Sequence, residues 1–136
     1  GTLEVRMPDQ PTALGRTAGF VALLQALCAT ALERPPRPWA PLDRWVYQQN
    51  RWAALRFAHE GELVHPDGDR LAKVPDLARE LIDLVRPAAE RLGSASCLDA
   101  LDPDGCEGDR QLEVGRTQGL AAVCADLVER TVAFDQ

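Results

Sequence analysis

The alternation of apolar and polar positions predicts four helices along most of the chain. Apolar residues recur at intervals of three and four, which is the spacing of one face of an α-helix. The predicted helices cover about residues 12–32, 42–59, 75–92 and 110–133. Pro87 falls inside the third apolar stripe, where we expect it to kink the helix or lengthen one turn. Stripes of this width favour a mainly α fold similar to a four-helix bundle.

Two further segments carry strand signals. Residues 2–7 read TLEVRM, and an extended strand would place Glu4 and Arg6 on one face and the apolar side chains on the other. Short apolar pieces flank the turn sequence PDGD at residues 66–69, which predicts a small hairpin. A lone strand leaves its backbone groups unpaired. The first strand therefore needs a partner: the hairpin, a second copy of the chain, or a sheet formed by other sequence.

Composition limits the class of protein. The chain has 136 residues, of which 46% are apolar, enough for one domain with a packed core. A net charge of −6 disfavours binding to bulk nucleic acid or to an anionic membrane. The longest apolar stretch, residues 19–32, is interrupted by polar residues and is shorter than a bilayer span. The N-terminus lacks the pattern of a secretion signal, so we expect a cytoplasmic protein.

The cysteines and histidines give weak signals. The four cysteines are Cys28, Cys97, Cys106 and Cys124, with no CxxC pair and no histidine at metal-ligand spacing. Reduced, mostly structural thiols are therefore expected, with Cys28 and Cys124 packed as small hydrophobes in helices. Cys106, in a glycine-rich acidic loop, is the one expected to be exposed. His59 and His65 are expected at the surface.

Four stretches of the chain carry a resemblance to a known family: TLEVRMPDQPT at 2–12, NRWAALRFAHEGELVHP at 50–66, ELIDLVRPAAERLG at 80–93 and GCEGDRQLEV at 105–114. In the same order, they resemble the C-terminal region of bacterial carboxylate-amine ligases of the glutamate–cysteine ligase type 2 family, within the glutamine-synthetase superfamily. The resemblance covers nearly the whole chain. It implies that residues 1–136 are a single C-terminal piece of an α+β glutamine-synthetase-like catalytic domain, whose N-terminal part carries most of a curved sheet.

The resemblance also implies a reaction. Such enzymes use ATP to phosphorylate a carboxylate, and an amine then displaces phosphate to form an amide. The expected cofactor is Mg²⁺ (or Mn²⁺), the small-molecule substrates are ATP, an amino-acid carboxylate and an amine, and the missing N-terminal part is the main partner. By resemblance, Glu4 is the metal ligand and Arg6 contacts the phosphate or acyl phosphate, roles that suit a carboxylate and a guanidinium.

A second group of candidates lies on the predicted helices. Asn50, Trp52 and Arg56 are candidates for substrate binding, since Trp52 and Arg56 share a helix face. The alternative is a tryptophan packed in the core with an arginine extending past it. Arg110 matches an Arg-Gln step of the family and is either part of the active-site rim or simply the start of a helix.

The residues alone leave a different class open, a non-enzymatic helical module that binds other proteins. The chain has neither a GxxxxGK[ST] nor a GxGxxG sequence, so ATP would not be held by a P-loop or a Rossmann turn. As an isolated fragment the ligase piece is expected to be inactive, and its unpaired strand edge could support a homo-oligomer.

Overall fold

The computed structural model describes residues 2–33, 43–68 and 70–133, and this part of the chain is mainly helical. The helices are α1 (Leu14–Glu33), α2 (Asp43–Phe57), α3 (Val74–Arg91), α4 (Ala95–Leu98), α5 (Glu107–Gln118) and α6 (Leu120–Val132). A 3₁₀ turn (Ala58–Glu60) follows α2, and the strands β1 (Glu62–Val64) and β2 (Leu71–Lys73) precede α3. Helices α1, α2 and α3 confirm the first three predicted helices, with ends within two residues of the predicted ones.

The core lies between α1, α3 and α4 and consists largely of small side chains. Its buried members are Ala22, Ala26, Val85, Ala88, Ala89 and Leu98. Gly19 shows how closely α1 approaches the α4 segment. A Cβ added there would lie 2.9 Å from the backbone oxygen of Cys97 and 2.9 Å from the Leu101 side chain. The small residues thus let the helices pack at short range.

The helices do not surround one common core in the manner expected of a four-helix bundle. Among the described elements, α2 packs mainly on the hairpin and its own 3₁₀ turn, whereas α5 and α6 pack mainly on each other. Helix α3 contacts α1, α4, the 3₁₀ turn and β2. It also continues through Pro87 as a single helix. Helix α3 is therefore the element that joins the core to the hairpin.

The predicted hairpin is confirmed. Strands β1 and β2 are antiparallel, with Leu63 opposite Ala72 at the centre of the register. The hairpin closes through a backbone hydrogen bond from His65 N to Arg70 O at 2.8 Å, and the N–H of Val74 donates to Gly61 O at 3.0 Å. The turn sequence therefore folds as its proline, aspartate and glycine indicate.

Residues 2–7 do not form the predicted strand in the structure described here, and a strand over these residues in the whole protein stays a prediction. These residues have no strand assignment, and the two hairpin strands pair only with each other. The apolar side of the segment is open to solvent, with Leu3 75% and Met7 84% exposed. The physical reason is the lack of a partner, because the alternation of side chains alone does not form a sheet.

The predicted helix over residues 110–133 is two helices, α5 and α6. Gly119 separates them with a φ of 88°, a left-handed conformation that side chains with a Cβ rarely adopt. Helix α5 also begins earlier than predicted, at Glu107. The apolar periodicity continues across the junction, so the break could not be located from periodicity alone.

Helix α1 is longer than the apolar stretch of residues 19–32, which was expected to be too short to span a bilayer. By length and composition, Leu14–Glu33 would suffice to cross a membrane. In this fold the helix contributes Ala22 and Ala26 to the core and packs on α3 and α4. Core helices of other proteins pass the same test of length and composition, so this finding is weak evidence for a membrane span.

Candidate functional site

Glu4 and Arg6 lie side by side, as the alternation of an extended chain predicts. Arg6 Nε is 3.0 Å from Glu4 Oε1, and the two side chains are 83% and 75% exposed. Because water competes for both charges, the ion pair contributes at most about 1 kcal/mol to stability. The carboxylate and the guanidinium are thus both accessible to a ligand.

The side-chain amide of Asn50 is hydrogen-bonded within the protein. Its Nδ2 donates a hydrogen bond to Val64 O at 2.8 Å, and its Oδ1 accepts one from Val64 N at 2.8 Å. The side-chain amide therefore pairs with the backbone of β1 as a neighbouring strand would. This contact fixes the hairpin to α2. Its predicted role in substrate binding stays a prediction, and the observed role is structural.

Trp52 and Arg56 both contact Phe57 at the end of α2. The Trp52 and Phe57 rings meet edge to face, with centroids 5.6 Å apart, and the Arg56 guanidinium lies 5.4 Å above the Phe57 ring. Trp52 is 56% exposed, so it is not the core residue of the alternative interpretation. Asn50, Trp52 and Phe57 line an open cleft of about 430 Å³ beside the hairpin.

Arg110 pairs with Asp126 across the α5–α6 contact. The guanidinium donates hydrogen bonds to the carboxylate, and this bonding lowers the pKa of Asp126 and raises that of Arg110. Arg110 is a helical residue that holds α6 against α5. Its neighbour Gln111, the second residue of the Arg-Gln step, lines a different cleft.

That second cleft has the more apolar lining of the two and is called the main cleft below. It lies between α1, α3 and the segment leading into α5, and its volume is about 420 Å³. Its apolar wall includes Phe20, Leu23, Leu81, Ile82 and Leu101. Its polar lining includes Asp9, Gln10, Arg16, His59, Asp102, Cys106, Glu107 and Gln111. Asp9 and Gln10 closely follow the Glu4–Arg6 segment in sequence. The N-terminal segment therefore leads directly to the rim of this cleft.

Glu107 connects the segments around the main cleft. Its Oε2 accepts a hydrogen bond from Thr12 N at 2.8 Å. Its Oε1 lies 3.7 Å from Arg16 Nε and 3.9 Å from a guanidinium nitrogen of Arg130. The side chain is only 15% exposed. One carboxylate thus links the N-terminal segment, α1, α5 and α6.

His59, Cys106 and Asp109 form a cluster that the sequence analysis did not single out. Their potential ligand atoms all lie within 4.8 Å of one another. His59 was expected at the surface, yet its Nδ1 is shielded from solvent. His59 and Asp109 are 50 positions apart, so no local spacing could have revealed the cluster. The residue types, imidazole, thiol and carboxylate, are those that bind transition metals.

His65 was also expected at the surface, and this is wrong because only 8% of it is exposed. Its Nδ1 accepts a hydrogen bond from Asp67 N at 3.1 Å, and its Nε2 lies 2.8 Å from Glu80 Oε2. Arg70 donates to the other Glu80 oxygen at 3.1 Å. These bonds, first that from His65 and then that from Arg70, lower the pKa of Glu80. The group holds the hairpin on α3.

All four cysteines are free, as expected, but their burial differs from the expectation. Cys28 and Cys124 are exposed, whereas Cys106 is half-buried. Cys28 and Cys124 lie in helices, but on faces that this part of the fold leaves uncovered. Their apolar neighbours in sequence predicted burial, which depends on a packing partner and not on sequence context alone.

Comparison with known proteins adds evidence of ancestry. The family model described as glutamate-cysteine ligase family 2 (GCS2) matches residues 1–119. A protein of Rubrobacter xylanophilus named "putative glutamate–cysteine ligase 2-3" is 35% identical over 96% of this chain. One of Sorangium cellulosum, named "putative glutamate–cysteine ligase 2", is 32% identical over 96%. A protein of the same name from Bordetella petrii is 39% identical over 74%.

The chain spans about a third or less of the length of these curated relatives, namely 36%, 36% and 24%. The similarity nevertheless extends across the N-terminal segment, the hairpin and the main cleft. The family match and these identities together show that the chain belongs to glutamate-cysteine ligase family 2.

Proposed function

We propose that this chain is the C-terminal part of the catalytic domain of an ATP-dependent carboxylate-amine ligase of the glutamate–cysteine ligase type, with a glutamine-synthetase-like fold in the whole protein. Family membership supports the ligase class. The observation that carries the proposal is the solvent-facing Glu4–Arg6 pair, on a segment that leads to the rim of the main cleft. Neither side chain is used to hold another described element in place, so both are available for substrates.

In the proposed reaction, a carboxylate oxygen of the amino-acid substrate attacks the γ-phosphorus of ATP. An acyl phosphate forms and ADP leaves. The amine nitrogen then attacks the acyl carbon and loses a proton to solvent, the bond to the phosphate oxygen breaks, and the amide and phosphate are released. The guanidinium of Arg6 would hold the phosphoryl oxygens in two-point hydrogen bonding, where charge develops during transfer.

Glu4 is suited to one ligand position of the expected Mg²⁺ (or Mn²⁺). Magnesium in phosphoryl-transfer sites is commonly held by one or two carboxylates together with substrate phosphates and water. When bound, the ion neutralises charge on the phosphate oxygens. One carboxylate and one arginine do not complete such a site. We therefore propose that the remaining ligands come from the rest of the protein and that these 136 residues alone are inactive.

Exposed apolar side chains support a partner in the rest of the ligase chain. In the described part of the chain, the large apolar residues that are more than three-quarters exposed are Met7, Leu32, Trp45, Leu55 and Leu120. Their apolar surface is available for contact with another part of the protein. The relative from Rubrobacter xylanophilus matches almost the whole of this chain and is about three times as long. We propose that the rest of the polypeptide packs on these exposed apolar side chains and pairs with residues 2–7.

The experiment is an assay of the intact protein with Mg²⁺, ATP, glutamate and a panel of amines that includes cysteine. We expect phosphate release that requires both glutamate and an amine. No phosphate release with any amine would refute the ligase assignment. The same panel identifies the acceptor amine.

A helical protein-binding module is the second candidate, favoured by the open aromatic side chains of α2. Trp45 is 79% exposed and Trp52 is 56% exposed, and aromatic residues of this kind are common in protein interfaces. Substrate-dependent phosphate release would decide against it as the main function, since a binding module needs no ATP.

A further inference from the structure

We propose that His59, Cys106 and Asp109 bind a transition-metal ion of the Zn²⁺ class, with protein ligands other than Glu4, which is the ligand expected for Mg²⁺. The three potential ligand atoms, an imidazole nitrogen, a thiol sulfur and a carboxylate oxygen, lie within 4.8 Å of one another. The inference rests on this geometry and not on the ligase reaction.

Two distant segments bring the ligands together. Cys106 immediately precedes α5 and Asp109 lies in its first turn, and their three-residue spacing places both at the same side of that turn. His59 comes from the 3₁₀ turn after α2. Ala58, just before it, has a φ of 49°, and it is the one non-glycine residue with positive φ in the described structure. The backbone is thus bent sharply where the histidine faces α5.

The histidine nitrogen has an unmet bonding capacity. His59 Nδ1 is 2.9 Å from Asp109 Oδ2, but the two groups are not aligned for a hydrogen bond. The nitrogen is shielded from solvent and has no hydrogen-bond partner among the described residues. A shielded polar atom without a partner is costly. A cation bonded to both the nitrogen and the carboxylate would satisfy it.

The distances suit a tetrahedral ion after small side-chain movements. Zinc bonds of about 2.0–2.3 Å place neighbouring ligand atoms roughly 3.3–3.6 Å apart in a tetrahedral site. The His59–Asp109 pair is 2.9 Å apart, and all the potential ligand atoms lie within 4.8 Å of one another. Adjustments of about 1 Å in side-chain position, small compared with the reach of a rotamer change, would therefore complete the coordination.

The ligand chemistry selects against magnesium. Thiolate and imidazole prefer zinc and neighbouring transition metals, whereas Mg²⁺ prefers oxygen ligands. Three protein ligands leave one position of a tetrahedral ion open. His59 and Cys106 both line the main cleft, so the open position would be accessible to water or to a small molecule in that cleft.

The test uses the metal-free intact protein titrated with Co²⁺, which reports on zinc-type sites through its absorption, and with Zn²⁺ against a chromophoric chelator. We expect visible ligand-field bands and a near-ultraviolet thiolate-to-metal band. Cys106→Ser should abolish the thiolate band and weaken metal binding at least about tenfold. The matched control is Cys124→Ser, because Cys124 is exposed and free and is not part of the cluster.

A second variant keeps the test decisive if Cys106→Ser does not fold. Asp109→Asn changes a side chain that is 51% exposed and should weaken metal binding about tenfold without unfolding the protein. The control Asp83→Asn, at an exposed position of α3 outside the cluster, should leave the affinity unchanged. The proposal is overturned if no thiolate band appears, or if Cys106→Ser and Asp109→Asn bind metal as tightly as the unaltered protein. Metal binding is measured without turnover, so this result is independent of the ligase assay.

Discussion

Replacing Asn50 by alanine distinguishes a structural residue from a substrate contact. The side chain makes two hydrogen bonds of 2.8 Å to the backbone of Val64. Each such bond contributes about 0.5–1.5 kcal/mol net, so their loss should cost about 1–3 kcal/mol. Alanine has a higher helix propensity than asparagine by roughly 0.5 kcal/mol. The expected net loss of unfolding free energy is therefore about 0.5–2.5 kcal/mol.

The assay is urea unfolding followed by circular dichroism, together with amide hydrogen exchange at Val64. We expect a lower unfolding midpoint and faster exchange of the Val64 N–H, because its hydrogen-bond acceptor is gone. Gln48→Ala, at an exposed position of the same helix, should change neither. Unchanged stability and exchange in Asn50→Ala, combined with a raised KM for a substrate, would refute the structural role and support the original prediction.

Two further predictions concern packing and pH. The unfolding free energy of Gly19→Ala should be about 1–3 kcal/mol lower than that of Gly15→Ala. A Cβ at Gly19 meets atoms at 2.9 Å, whereas a Cβ at Gly15 meets its nearest atom at 3.8 Å. Equal unfolding free energies of the two variants would contradict the close helix packing. The lowered pKa of Glu80 means that its contribution to stability is present above its unfolded value of about 4.5 and is lost as pH falls through the folded value. Glu80→Gln should therefore show a shallower loss of unfolding free energy below pH 4.5. An unchanged pH profile would show that the contacts of the Glu80 carboxylate with His65 and Arg70 do not stabilise the fold.

The sequence predicted the elements whose signals are local. Helices α1, α2 and α3 follow from apolar stripes, and the hairpin follows from the turn at residues 66–69. The break at Gly119 was not predictable from the stripe, because apolar spacing does not reveal the sign of φ at a glycine. Residues 2–7 form no strand in the described part of the chain, because a strand depends on a partner that local alternation cannot supply.

The sequence predicted the arrangement of candidate site residues only where these residues are close together in the sequence. Glu4 and Arg6 lie together, as alternation along an extended chain predicts. The structural roles of Asn50 and Arg110 depend on Val64 and Asp126, which lie elsewhere in the sequence. The cluster of His59 with Cys106 and Asp109 likewise arises from the packing of the 3₁₀ turn against α5. Contacts of this kind follow from tertiary structure and leave no trace in spacing.

The role of Glu4 is the central claim, and the Mg²⁺ dependence of turnover tests it most directly. In the intact protein, phosphate release with ATP, glutamate and the accepted amine would be measured over a range of Mg²⁺ concentrations. We predict that Glu4→Gln raises the Mg²⁺ concentration for half-maximal rate at least about tenfold, which corresponds to about 1.4 kcal/mol of lost metal binding. Glu90→Gln, at an exposed position of α3, should leave it unchanged. An identical rate and Mg²⁺ dependence in Glu4→Gln would contradict the account.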